Sequence, residues 1–144
     1  KAIHGENPRP FHVFNAVLTY KGEPQSYAGR PPGLSTRLFL SFGPDPYEPI
    51  CHLIYPASTP WHEKSATHLM LHDRHGQKIA EQEVNIACSG SLLWRPGEIF
   101  SGSEMQKAGP EGYVIIRDAT CRLFGYHGLM NGKKAFSFDH MFGF

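Results

Sequence analysis

The sequence predicts an all-β fold, a single-domain antiparallel β-sandwich or jelly roll over residues 1–144. Three observations carry this. Apolar and polar residues alternate at period two in several short runs. Glycine (15) and proline (12) separate those runs closely. Only one helical turn is legible in the whole chain. Together they give about eight to ten short strands, too many closely spaced turns for helices to intervene.

The elements follow in order. Prolines at Asn7-Pro8-Arg9-Pro10, Gly22-Glu23-Pro24 and Pro31-Pro32 cut the first third into pieces. Phe11 to Tyr20 between them is aromatic and β-branched, hence a strand, and 21–33 reads as a connecting loop long enough for a role in assembly or binding. From Leu34 the alternation is clean, with Leu34, Thr36, Leu38, Leu40 and Phe42 on one face and Ser35, Arg37 and Ser41 on the other. Ile50 to Tyr55 is the next run. Residues 66–86 form a β-hairpin, because Asp73-Arg74-His75-Gly76 carries Asp and Gly where a type I turn with a left-handed glycine needs them. Later strands are Ser91 to Arg95, Tyr113 to Arg117, Thr120 to Tyr126 and Ala135 to Phe138, and the glycine-bearing stretch Gly125 to Lys134 reads as two glycine turns. The helical turn is Glu104 to Ala108, capped by Ser103 and stopped by Gly109-Pro110.

Composition narrows the function classes. The formal charge is +1, with no basic cluster beyond Lys133-Lys134, so a nucleic-acid partner is not expected. No apolar run reaches the ~20 residues of a membrane helix, so no membrane span is expected. Cys51, Cys88 and Cys121 are an odd, sparse set, and Asn-x-Ser/Thr is absent, which points to a reducing, cytoplasmic setting. The chain starts at Lys1 rather than Met, so processing of its start stays open.

Nine histidines raise the question of a metal. His68, His72 and His75 are the densest group. On a strand, His68 and His72 share a face but stand about 13 Å apart, too far to chelate one ion. Cys121, His127 and Met130 supply thiolate, imidazole and thioether in the order a blue-copper site uses. The stretch Cys121-Arg-Leu-Phe-Gly-Tyr-His127-Gly-Leu-Met130 resembles the C-terminal ligand loop of the cupredoxins. That resemblance implies Cys121 as thiolate ligand, His127 as imidazole ligand and Met130 as axial ligand. The upstream histidine is left open among His52, His62, His68 and His72. The competing reading is a buried thiol, a loop histidine and a core methionine. Copper or zinc, the latter in a cupin-like histidine site, is therefore the alternative to a protein without a cofactor.

The hairpin Leu69-Met-Leu-His-Asp73-Arg-His-Gly76, followed by Ser89-Gly90-Ser91 and Glu111-Gly112-Tyr113-Val114-Ile115-Ile116, resembles small bacterial β-sandwich proteins of the sensory-rhodopsin-transducer type. The likeness covers roughly 50–130 and is one of pattern. It implies an oligomeric, non-catalytic binding or signalling module and carries over no functional residue. The expected function is thus a sandwich that binds a small ligand or a protein partner and self-associates. Tyr55, Trp61, Trp94, Arg95 and Tyr126 are the candidate binding surface, since aromatic residues and arginine supply hot spots, although the ordinary reading of both tryptophans is core. The phenylalanine-rich tail Phe136 to Phe144 is expected to pack on its own sandwich or on a second subunit. Protonation of the histidines would make association pH-dependent.

Overall fold

Alternation in the sequence becomes alternation in burial. In the strand Thr36–Ser41, Thr36, Leu38 and Leu40 are buried while Arg37, Phe39 and Ser41 are exposed, as a half-buried pleat requires. The computed structural model describes residues 3–4, 35–56 and 62–141. The strand expected at Phe11 to Tyr20 and the loop 21–33 lie outside the described residues.

Nine strands and two short helices are described: β1 (Ile3–His4), β2 (Thr36–Ser41), β3 (Glu48–Ile54), β4 (Thr67–His72), β5 (Lys78–Val84), β6 (Ser91–Trp94), α1 (Pro96–Ile99), α2 (Gly102–Ala108), β7 (Tyr113–Asp118), β8 (Phe124–Asn131) and β9 (Ala135–His140). They form two antiparallel sheets, ordered β1-β9-β8-β3-β6 and β2-β7-β4-β5. The pairing is nested. β4 pairs β5, β3 pairs β6 and β2 pairs β7, so the chain is one long hairpin rolled between two sheets, which is a jelly roll. The next pair of such a roll would join β8 to β1. Here β9 is inserted between them, bonded to β8 on one side and β1 on the other.

The inner faces meet in one core built on Leu38, Leu40, Cys51, Leu53, Leu69, Leu71, Trp94, Val114 and Ile116. Each fully buried leucine there contributes about 2 kcal/mol of transfer free energy. The hairpin expected over 66–86 is present. Asp73 Oδ1 accepts the amides of His75 (2.8 Å) and Gln77 (2.9 Å), and Gly76 takes φ +81°. Those amide bonds to Asp73 hold its carboxyl below the usual carboxylate range.

Three expectations need correction. The helical content is two short helices, and the cap of α2 is Ser101 rather than Ser103. Ser101 Oγ accepts the Glu104 amide (3.2 Å) while Glu104 Oε2 accepts the Ser101 amide (2.8 Å), a capping box that Ser103, two residues on, cannot close. Pro96 opens α1 just after the Arg95 cap. The strand expected at Thr120 to Tyr126 starts instead at Phe124 and runs to Asn131. Residues 119–123 bond to side chains rather than to a ladder. Asp118 Oδ1 takes the amides of Thr120 (2.7 Å) and Cys121 (2.8 Å), and Thr36 Oγ1 donates to the Cys121 carbonyl (2.8 Å) while accepting the Leu123 amide (2.7 Å). Finally, Gly125 and Gly128 lie within β8, and only Gly132 serves a turn, at φ +52°. At Gly128 a side chain has no room, since a Cβ would run into the Ser137 carbonyl and would stand 2.7 Å from the Phe138 ring.

The tail packs on its own sandwich as far as the described residues go. Ala135–His140 is β9, and Met141, 8% exposed, sets its sulfur 3.7 Å from the Cys51 thiol. Phe142 and Phe144 lie outside the described residues. No described helix is long and apolar enough to cross a membrane.

Candidate functional site

The register of the larger sheet decides which side chains can meet, because directly opposed residues share a face. Across β6, β3, β8 and β9 one inward row reads Trp94, Cys51, His127 and Asp139. The row beside it carries Leu129 opposite Ser137. Trp94 and Cys51 are sealed in the core. His127 and Asp139, nearer the inserted strand, are only half-buried. Ser41, the last residue of β2, and Phe42 and Gly43 after it lie across from them. Between the two sets lies an open cleft of about 290 Å³, lined by Ser41, Phe42, Gly43, His127, Gly128, Leu129, Ser137, Phe138 and Asp139.

Gly43 lets the Leu129 side chain pack directly on the backbone after β2, since a Cβ there would collide with it. The electrostatics of the cleft follow from its lining. Burial pushes the His127 pKa below that of a free imidazole, while the nearby Asp139 carboxylate pulls it up and His140 pushes it down. Burial is the largest of these influences, so the ring is neutral at pH 7 and offers one donor and one acceptor. Asp139 supplies acceptor oxygens, one of which takes the His140 amide at 2.9 Å. Ser137 adds a hydroxyl, and Phe42 and Leu129 provide apolar surface.

A second cleft of about 350 Å³ lies between β3 and the helices, lined by Glu48, Pro49, Arg95, Pro96, Gly97, Glu98 and Met105. Arg95 reaches Glu98 Oε1 (3.2 Å) and the Met130 sulfur (3.9 Å). Its Nε is shielded from solvent and makes no hydrogen bond, with Glu48 Oε2 at 3.7 Å. Arg95 thus faces two glutamates across an open wall, an arrangement that neutralises the guanidinium.

Of the five residues expected to form a binding surface, the four described ones, Tyr55, Trp94, Arg95 and Tyr126, are not brought together. Trp94 is 2% exposed and Tyr55 4%, both in the core. The Trp94 indole N–H has no conventional acceptor. It faces the Cys51 sulfur, whose pKa burial drives far up. Tyr55 donates to the His62 carbonyl at 2.9 Å, and burial raises its pKa. Tyr126 stands on the outward face of β8, opposite His52 and His140. Arg95 lines the second cleft, and Trp61 lies outside the described residues.

The cupredoxin-like trio is likewise dispersed. His127 and Met130 are three apart on one strand and so project from opposite faces, Met130 sharing the outward face with Glu48 and Phe136. Cys121, 2% exposed, sits in the 119–123 loop with Thr120 Oγ1 at 3.5 Å, and burial pushes its thiol pKa up rather than down as a metal ligand would need. Among the described residues no group of three histidine, cysteine or acidic side chains is placed to hold a metal ion. His68 and His72 lie on β4, extended as expected. His68 Nδ1 pairs with Glu81 (2.8 Å), and the His72 ring stacks on Tyr113 with centroids 5.2 Å apart.

Asp139 and Ser137 gain their importance from pairing that the sequence reading did not use. The signal was present. Asn131-Gly132-Lys133-Lys134 forms a turn between two runs, and folding the chain there sets Asp139 opposite His127. Comparison with protein-family models, curated proteins and solved structures finds no match to this chain.

Proposed function

We propose that this protein is a non-catalytic, ligand-binding jelly roll that takes a small molecule into the cleft between the end of β2 and the β8–β9 hairpin. The observation that carries the reading is the inward row that ends in His127 and Asp139 at that cleft. A few convergent polar groups on an otherwise apolar concave wall, at the mouth of a rolled sheet, are the usual makings of a small-molecule site. A volume of about 290 Å³ suits a ligand of one ring or a short chain. The imidazole, the carboxylate and the Ser137 hydroxyl orient it, and Phe42 and Leu129 bury its hydrocarbon part.

Self-association is the second half of the proposal. Its support is β6, which among the described strands pairs only with β3 and exposes Leu93 at 56%. Sedimentation at pH 5.5 and 8 tests whether copies associate and whether the histidines control it.

The ligand proposal is tested by amide chemical-shift titration against a panel of cationic, neutral and anionic compounds of about ten heavy atoms. Shifts gathered at 41–43, 127–129 and 137–139 are expected. A panel that leaves these amides unmoved at millimolar concentration refutes the proposal. Stoichiometric metal in untagged protein, lost in Cys121→Ser or His127→Ala, would replace it with the metal-binding alternative.

A further inference from the structure

The larger sheet ends on a strand with little to blunt it. β5, an edge of the smaller sheet, presents Lys78, Glu81 and Glu83 and pairs with β4 through a break in register, devices that keep an edge single. β6, Ser91-Leu92-Leu93-Trp94, has no charge, no proline and an unbroken register with β3. Its Leu93, 56% exposed, is the most exposed large hydrophobic among the described residues. Bonded and non-bonded pairs alternate along an antiparallel ladder. The Tyr55 amide donates to the Gly90 carbonyl (3.0 Å), so Gly90, Leu92 and Trp94 are the residues that bond to the β3 side. Ser91 and Leu93 therefore turn their amides and carbonyls outward, four groups with no strand beside them among the described residues. The row stops at Arg95, whose amide donates to Glu98 Oε2 (3.0 Å) and whose carbonyl accepts the Glu98 amide (2.9 Å).

We propose that β6 pairs with β6 of a second copy, antiparallel about a two-fold axis at Leu92, joining two five-stranded sheets into one. This rests on the self-association proposed above and gives it a geometry. Turned about Leu92, Ser91 lies opposite the partner's Leu93, and Leu93 opposite the partner's Ser91. Every outward amide then meets a carbonyl, and all the outward groups of both copies are used. An axis at Leu93 uses only half of them, because it sets Ser91 against the partner's Arg95, whose backbone Glu98 already holds. The side chains suit the Leu92 axis. Leu92 meets the partner's Leu92 on the core side, and the two Leu93 side chains lie diagonally on the outer face, within reach of each other at about 7–8 Å. The two Arg95 residues stand ~20 Å apart along the pair, so like charges do not oppose it. Five strand spacings, ~24 Å, separate the two β8 strands, so pairing leaves both His127 clefts accessible.

Amide hydrogen exchange of the full chain at micromolar and millimolar concentration, beside sedimentation equilibrium, tests this. A dimer is expected, with the Ser91 and Leu93 amides exchanging ~10-fold or more slower at the higher concentration while Leu92 and Trp94, bonded to β3, stay unchanged. Ser91→Pro removes half of the inter-copy bonds at an edge position where proline leaves the β3 ladder intact, and should weaken the dimer ~10-fold or more. Leu93→Lys should weaken it too, by bringing like charges together on the outer face. A dimer in which the Ser91 amide gains no protection, or one that both substitutions leave unchanged, overturns the inference while self-association stands. A chain that stays monomeric at millimolar concentration overturns both.

Discussion

Replacing Asp118 should unfasten one end of the sandwich. The side chain is 0% exposed and ends β7. Its Oδ2 lies 2.9 Å from Thr67 Oγ1, and its Oδ1 takes the Thr120 amide (2.7 Å), the Thr120 hydroxyl (2.7 Å) and the Cys121 amide (2.8 Å). Thr67 is itself 0% exposed and also lies 2.9 Å from Ser65 Oγ, so its hydroxyl donates to Asp118 and accepts from Ser65. Asp118→Ala strands four donors. The Thr67 hydroxyl and the Cys121 amide are buried and cannot turn to water. At about 1–3 kcal/mol for each buried unsatisfied donor, and little for the two near the surface, the loss comes to about 3–5 kcal/mol. That is a large share of the ~5–15 kcal/mol available to a domain. Urea unfolding followed by tryptophan fluorescence measures it, with the midpoint falling at constant slope. Asp118→Asn keeps the shape and one acceptor and should lose about half as much. Thr67→Val should matter less in the Asp118→Ala background than alone, with a coupling of about 1 kcal/mol or more. A loss below about 1 kcal/mol for Asp118→Ala, or strict additivity with Thr67→Val, would refute the reasoning that these bonds hold the 119–123 loop.

Other outcomes follow from the same geometry. Gly128→Ala should break the β8–β9 pairing, seen as faster hydrogen exchange at 135–140, whereas Gly132→Ala, with open space but positive φ, should lose only about 1 kcal/mol. His52 and His127 have folded-state pKa values lowered by burial, so the unfolded chain binds more protons as pH falls through 6.5. Stability is therefore full above pH 6.5 and declines on acidification towards those depressed values. His52→Gln and His127→Gln should flatten that slope in urea titrations at pH 5.5 and 7.5. Thiol reagents should modify the half-buried Cys88 first, while Cys51 and Cys121, buried with raised pKa values, should react only on unfolding.

Much of the fold was legible one strand at a time. Leu38 and Leu40 alternate with Arg37 and Phe39, and Asp73 with Gly76 brackets a turn, because the pleat and the turn are set by residues close in sequence. β8 was not legible in the same way. Its glycines read as turn formers, and its true start was fixed by Thr36, which holds Cys121 and Leu123 from far away in the chain. The helix cap was misplaced for a smaller reason, since Ser101 and Ser103 both fit a local cap and only the reciprocal bond with Glu104 separates them.

The site divides along the same line. Sequence alone determined that the chain is β-rich, that His68 and His72 cannot share an ion if extended, and that His127 carries chemistry worth placing. Only the tertiary structure decided that Trp94 and Tyr55 are core, that Met130 turns away from His127, and that Asp139 comes opposite it. Strand periodicity fixes how side chains alternate, but not which face turns inward nor which strand lies alongside. Those depend on rolling the hairpin into two sheets and on β9 taking its place between β8 and β1, and they are settled by burial of the whole core at once.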